Sequence, residues 1–324
     1  MNSTVCMTRR DSVRVFVSKL SESPPSSDDG AGKAVISASL LDELGRHVGP
    51  LDPEFAERVS GGDINDSFTV RTQTGQSYFL KCHAPQHEAM FIAEAAGLAA
   101  LAAAGAVRVP CVVAAGTAAD CAYLLMEHLQ LRQGTPAAAA ALGRDLATQH
   151  RVSADQFGWE QDNTIGSTPQ LNCARSSWLD FFHDARLSYQ LDLAKKNDCA
   201  PRLCQLGAQV CEALPDLLLG HQPAPALLHG DLWGGNWGQL PDGEAVIFDP
   251  AVYFGDREAD LAMTRLFGGF PAEFYAAYEA AWPLPQGHAD RVALYNLYHV
   301  LNHLNLFGGA YAAQAEGMME RLLG

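Results

Sequence analysis

The hydrophobic period of this chain changes once, near His128, and few architectures accommodate such a change. Before that point FAERVSGG (55–62), DSFTVRTQ (66–73), SYFLKCHA (77–84), VRVPCVVAAG (107–116) and CAYLLMEHL (121–129) read as strands. The turns at Gly61-Gly62-Asp63 and Thr74-Gly75-Gln76 are too short for anything but antiparallel pairing. Two helices join the strands: ISASLLDELGRHVG (36–49), with Ser37 or Ser39 as N-cap and Gly49 as its stop, and QHEAMFIAEAAGLAALAAAG (86–105), closed by Gly105. Beyond Leu129 apolar residues recur every three or four positions, in 137–152, 176–196, 201–219 (interrupted at Pro215), 257–268, 271–282 and 289–311, broken only by short strands around 227 and 247. An α+β molecule of two lobes is predicted: a five-stranded antiparallel sheet with one key helix over 36–128, then a larger, mainly helical lobe over 129–324. Residues 1–35, basic early and then Ser/Pro/Asp-rich, read as a disordered tail.

With 48% hydrophobic residues in 324, the chain can bury a large core. Its net charge of -15 repels phosphate backbones and anionic lipid, so neither a nucleic acid nor a membrane surface is expected as partner. No stretch reads as a membrane span, the Ala-rich run AEAAGLAALAAAGAV (93–107) being too short and too weakly apolar. The eight cysteines form no C-x-x-C pair, which fits a reduced, cytoplasmic setting. The oligomeric state is not legible.

The chemistry concentrates in HGDLWGGNWG (229–238) and the AVIFDPA (245–251) that follows. Acids at the ends of apolar strands need partners, because burying them bare is costly. Asp231 and Asn236 stand five apart, as the Asp and Asn of the protein-kinase H-x-D-x-x-x-x-N loop do. There the Asp takes the proton of the attacking hydroxyl and the Asn ligates Mg²⁺. Asp249 falls where a second Mg²⁺ ligand belongs. The plain alternative is a hairpin whose Asp and Asn cap turns. Asp260, in DREADLAM, either caps its helix or accepts backbone N–H bonds from the 229–236 loop and so, with His229, supports it.

Such a site also needs a lysine for nucleotide phosphates and an acid to hold it. Strand alternation sends Lys81 and Phe79 away from Tyr78, Leu80 and Cys82. On the helix that follows, Glu94 shares a stripe with Phe91, Leu98 and Leu101, whereas the rival Glu88 sits about 100° off it. The pair Gly61 and Gly62 with Asp63 is the candidate phosphate-covering turn, or simply a hairpin. The backbone at Glu127 and Leu129 is placed to meet adenine, or merely ends a strand. His299, Asn302 and His303 read as helix packing by default. Trp233 and Trp237 fit stacking on a sugar and ordinary packing equally.

The chain resembles the fructosamine kinase (ketosamine 3-kinase) family of the protein-kinase-like, aminoglycoside phosphotransferase superfamily. The resemblance rests on SGGDIN, FLK with FIAEAAGLAAL, RVP, LLMEHL, DNTIGSTPQ, LLHGDLWGGN, FDPA and FGDREADLAM in that order, and runs from about residue 36 to the C-terminus. It implies a bilobal protein-kinase-like fold and an ATP- and Mg²⁺-dependent transfer of phosphate to the sugar 3-hydroxyl of ketosamines. These are fructosamine or ribulosamine adducts of amines or proteins, and their phosphoesters break down to free the amine. By the same resemblance Asp231 is the catalytic base, Asn236 and Asp249 hold Mg²⁺, and Lys81 with Glu94 positions phosphates. The stretch FGWEQDNTIGSTPQLN (157–172) resembles a family loop near the acceptor, with Glu160 departing from the basic residue common there. A small-molecule phosphotransferase of the aminoglycoside or choline kinase type is the alternative, and a non-catalytic nucleotide binder is a third reading.

Overall fold

The computed structural model describes residues 36–59, 65–118 and 120–324. The turn Gly61-Gly62-Asp63 and the tail 1–35 lie outside them. Helix α1 (Ala38–Val48) starts at Ser37, whose Oγ accepts from Leu40 N, and stops at Gly49. Strands β1 (Leu51–Arg58), β2 (Asp66–Thr72) and β3 (Ser77–His83) are followed by α2 (Glu88–Ala104), then β4 (Val112–Ala118) and β5 (Cys121–Glu127). They make one antiparallel sheet in the order β1-β2-β3-β5-β4. Leu80 and Cys82 bury their side chains under α1 with Leu40, Leu44 and Leu125, while Phe79 joins the opposite face.

That opposite face does not stop at the sheet. Phe91, Leu98 and Leu101 of α2 share a single core with Leu124 and Met126 of β5, Leu142 and Leu146 of α3 (Pro136–Gln149), and Ile247 and Val252. The segment Pro85–Ala104 is, against expectation, long and apolar enough to cross a membrane by length and composition (mean hydropathy 1.2). Alanine raises its hydropathy without bulk. Here one face of it, with Phe91, Leu98 and Leu101, packs into the core, and Glu94 carries an ion pair.

The second lobe begins with α3 and the hairpin of β6 (Asn163–Ile165) and β7 (Thr168–Gln170). The 176–196 stretch is not one α-helix: α4 (Trp178–Phe182) passes through a π-helical segment, His183–Ser188, into α5 (Tyr189–Lys196). The buried Arg186 sits in that segment, its guanidinium over the rings of Phe181 and Tyr253 and bonded to Leu171 O and Asn172 Oδ1. Helix α6 (Pro201–Leu217) continues past Pro215, because a proline in a last turn removes only one bond near the frayed end. Strands β8 (Ala226–Leu228), β9 (Trp237–Gln239), β10 (Ala245–Ile247) and β11 (Tyr253–Gly255) form two hairpin-like pairs, β9 with β10 and β8 with β11. Helices α7 (Arg257–Leu266), α8 (Ala272–Ala281), α9 (His288–Phe307) and α10 (Tyr311–Leu323) complete the chain, the last two separated by Gly308-Gly309 at positive φ.

Helices α3 and α8 pack closely at Gly143, where an added Cβ would lie 2.3 Å from Phe274 O. Backbone cannot yield as a flexible side chain does. Gly143→Ala should therefore destabilise the protein by about 2 kcal/mol and lower its melting temperature by about 5 °C, measured by calorimetry; an unchanged transition would show that the helices separate freely.

Candidate active site

The HGDLWGGN loop leaves β8 and turns back towards β9. Gly230 makes the first bend at φ 83°, and any Cβ there would meet Ala251 O at 2.0 Å. Only glycine fits. His229 is buried and its imidazole pKa is lowered by burial, so the ring is neutral. Its Nε2–H donates to Phe248 O (3.0 Å) and its Nδ1 accepts from Asp231 N (3.3 Å), tying the loop to the strand that delivers Asp249.

Asp260 accepts from His229 N (2.7 Å) and Gly230 N (2.8 Å). The helix cap is instead Asp256, which accepts from Glu258 N, so the capping reading of Asp260 gives way to loop support. Burial alone would raise the Asp260 pKa; the bond from His150 Nε2 (3.2 Å) and the Gly230 N–H outweigh it and hold the carboxylate ionised. His150 is in turn placed by the Tyr278 hydroxyl (2.8 Å). His150 and Tyr278 were missed in the sequence, although a histidine ending the buried face of a helix was the available signal.

Lys81 is 7% exposed and its Nζ lies 2.7 Å from both Glu94 Oε1 and Asp249 Oδ1. Burial alone would lower the ammonium pKa, but the carboxylates of Asp249 and Glu94 raise it above the ordinary range, so the group stays charged. Of the two candidate acids on α2, Glu94 meets the lysine. Asp249 holds φ 58°, a left-handed conformation that few side chains adopt, and its side chain is 45% exposed. The bend turns its carboxylate towards the lysine rather than along the strand.

Asn236 Nδ2 donates to Asp231 O (2.9 Å), Asp231 Oδ2 (3.3 Å) and Asp249 O (3.4 Å). The three residues expected to act together therefore do converge. Burial, then the charges of Asp249 and Asp260, push the Asp231 carboxyl up to about 7. Asn236 and Asp249 offer hard oxygen donors beside a fixed ammonium, a set that fits a phosphate-bound divalent cation.

Around this centre the other candidates separate. Glu127 N–H donates to Cys111 O (3.0 Å), and its carboxylate accepts from Cys111 N and Arg108. The Leu129 carbonyl accepts from Leu131 N (3.0 Å). Trp237 is a packing residue: its ring stacks on Phe270 and fills the space over Gly134, where a Cβ would come within 1.9 Å of it. Trp233 stands edge-on to Phe267, whose ring also meets His303 at 4.8 Å. His299 is buried, with its pKa lowered to about 3 by burial, and Asn302 bonds Gln190 and Ile165 O, both in keeping with packing. The 157–172 stretch supports the floor: Asn163 Nδ2 donates to Val252 O (2.8 Å) and Gln170 Nε2 to Ala251 O (3.0 Å), while Glu160 is exposed.

The profile of the fructosamine kinase family matches residues 36–324. A probable ketoamine kinase of Synechocystis is 47% identical over 269 residues, 82% of this chain and 89% of that protein. A structure solved as a candidate fructosamine-3-kinase from Haemophilus somnus superposes with TM-score 0.80 at 29% identity, covering 88% of this chain and 97% of the other. A macrolide 2'-phosphotransferase from Brachybacterium faecium shares the fold alone, with TM-score 0.54 at 17% identity over 86% of this chain and 96% of that one. The two-lobed architecture is thus that of protein-kinase-like phosphotransferases. This chain belongs to the fructosamine kinase family and is a phosphotransferase acting on a hydroxyl group.

Proposed function

We propose that the protein transfers the terminal phosphate of ATP to the sugar 3-hydroxyl of a ketosamine, a fructosamine or ribulosamine adduct of an amine or protein, and so promotes deglycation. The observation that carries this reading is the convergence of Asp231, Asn236, Asp249 and Lys81 at one cleft within a chain of this family. Asp231 accepts the acceptor's hydroxyl proton. Asn236 keeps that carboxylate aimed, and Lys81, held by Glu94, meets the nucleotide phosphates. Asn236 and Asp249 would hold Mg²⁺, which when bound neutralises phosphate charge and opposes the like-charge effect that raises the Asp231 pKa. The Glu127 carbonyl and the Leu129 N–H are the groups assigned to adenine, and Gly61, Gly62 and Asp63 to the covering turn. We infer a cytoplasmic setting, which the free thiols of the described cysteines support.

An acceptor panel tests the reading. With ATP and Mg²⁺, fructosyl-lysine and ribulosyl-lysine should be phosphorylated at least about 100-fold more efficiently than an aminoglycoside or choline, a margin that buried polar recognition of a substrate readily reaches. Turnover of choline or an aminoglycoside in preference would reassign the acceptor; nucleotide binding with no turnover on any of them would remove the enzyme from this reaction.

A further inference from the structure

Away from the cleft, the turn between α5 and α6 brings two thiols together. Cys199 Sγ and Cys204 Sγ lie 2.8 Å apart, against about 2.05 Å in a covalent disulfide. Both side chains are partly exposed, so a small oxidant reaches them. The backbone enforces the approach. Asp198 takes φ 57°, and with Asp249 it is one of two non-glycine residues at positive φ among the described residues. This reverses the chain so that Cys199 N donates back to Ala194 O (3.0 Å), while Cys204 N, in the first turn of α6, donates to Ala200 O (3.3 Å). Aspartate is among the few side chains that take this conformation readily, here as the stop of α5.

We propose that Cys199 and Cys204 form a reversible, redox-active dithiol that closes to a disulfide on exposure to a hydroperoxide. Burial and the bond to Cys204 push the Cys199 thiol up to about 11, so Cys199 stays protonated and Cys204 is the attacking sulfur. Its thiolate attacks one peroxide oxygen, the O–O bond breaks, and the departing oxygen takes a proton to leave as water or alcohol. The resulting sulfenic acid is attacked by Cys199; the S–S bond forms, the S–O bond breaks, and hydroxide takes the Cys199 proton to leave as water. Two thiols are oxidised by two electrons and one hydroperoxide is reduced. The bond ties the turn after α5 to the first turn of α6, and that turn also meets α9, through Asn197 Nδ2 to Asn305 Oδ1 (3.2 Å). None of the phosphate-transfer residues lies on these elements, so oxidation should leave turnover within about twofold.

The test uses the full chain, reduced and then treated with hydrogen peroxide, with residual thiols blocked by N-ethylmaleimide before non-reducing digestion with trypsin. Cleavage after Arg202 separates the two cysteines, so the disulfide shows as two joined peptides, and fragmentation should place the bond at Cys204 rather than Cys211. The wild type should also gain about 4 °C in melting temperature on oxidation, a gain absent in Cys204→Ser. Alkylation of both Cys199 and Cys204 after peroxide, a bond made to Cys211 instead, or an equal thermal shift in Cys204→Ser would overturn the assignment.

Discussion

Asp231→Asn should lower kcat by about a thousandfold while the nucleotide still binds with its affinity changed less than about twofold. The substitution is nearly isosteric, and the Asn236 Nδ2 bond to the backbone oxygen of residue 231 (2.9 Å) survives it. What disappears is a carboxylate that burial, Asp249 and Asp260 bring to about 7, where proton uptake from a hydroxyl is best matched to neutral solution. An amide has no such capacity. Single-turnover phosphorylation together with nucleotide titration separates the two effects. Turnover within tenfold of the wild type would take the base role away from Asp231, whatever the acceptor proves to be.

The largest loss of stability is expected from Asp260→Ala. One buried carboxylate satisfies His229 N, Gly230 N and the His150 ring, and no water-filled route replaces it at 1% exposure. Leaving two buried N–H groups bare should cost about 4 kcal/mol in sum, seen as a fall of about 10 °C in melting temperature. Activity should fall too, because the same bonds set the path of the loop that carries Asp231. Asp260→Asn keeps one accepting oxygen and should lose about half as much. A loss below about 1 kcal/mol for the alanine variant would mean that the Gly230 bend holds itself.

The elements that sequence alone exposes are those whose pattern lasts long enough to be periodic. Lys81 is placed by strand alternation, and Glu94 by a stripe of three- and four-residue spacings. Each cue needs several neighbours, and α2 and β3 supply them. Strands β6, β7, β9 and β11, of three residues each, were not predicted; β8 and β10 are as short, and only the apolar runs around 227 and 247 mark them. The π-helical segment His183–Ser188 is invisible for a different reason: an extra residue per turn shifts the apolar face without changing its composition. Pro215 argued for a break that its place in a last turn makes unnecessary. His150 and Tyr278 act on the site through Asp260, across 110 and 128 residues of sequence from their respective partners, and such contacts leave no local mark beyond a histidine at the end of a buried helix face.

Helix α2 touches both lobes. At Gly97, one turn beyond Glu94, the helix backbone comes so near the second lobe that a Cβ would sit 3.0 Å from Val252 Cγ2, three residues past Asp249. Together with the core that Phe91, Leu98, Ile247 and Val252 share, this contact fixes α2, and with it Glu94, against the segment that carries Asp249. Lys81, bridging Glu94 and Asp249, is thereby held between two walls that the shared core locks together. The geometry of this charged bridge is therefore set by packing between the lobes, at a distance from the carboxylates themselves.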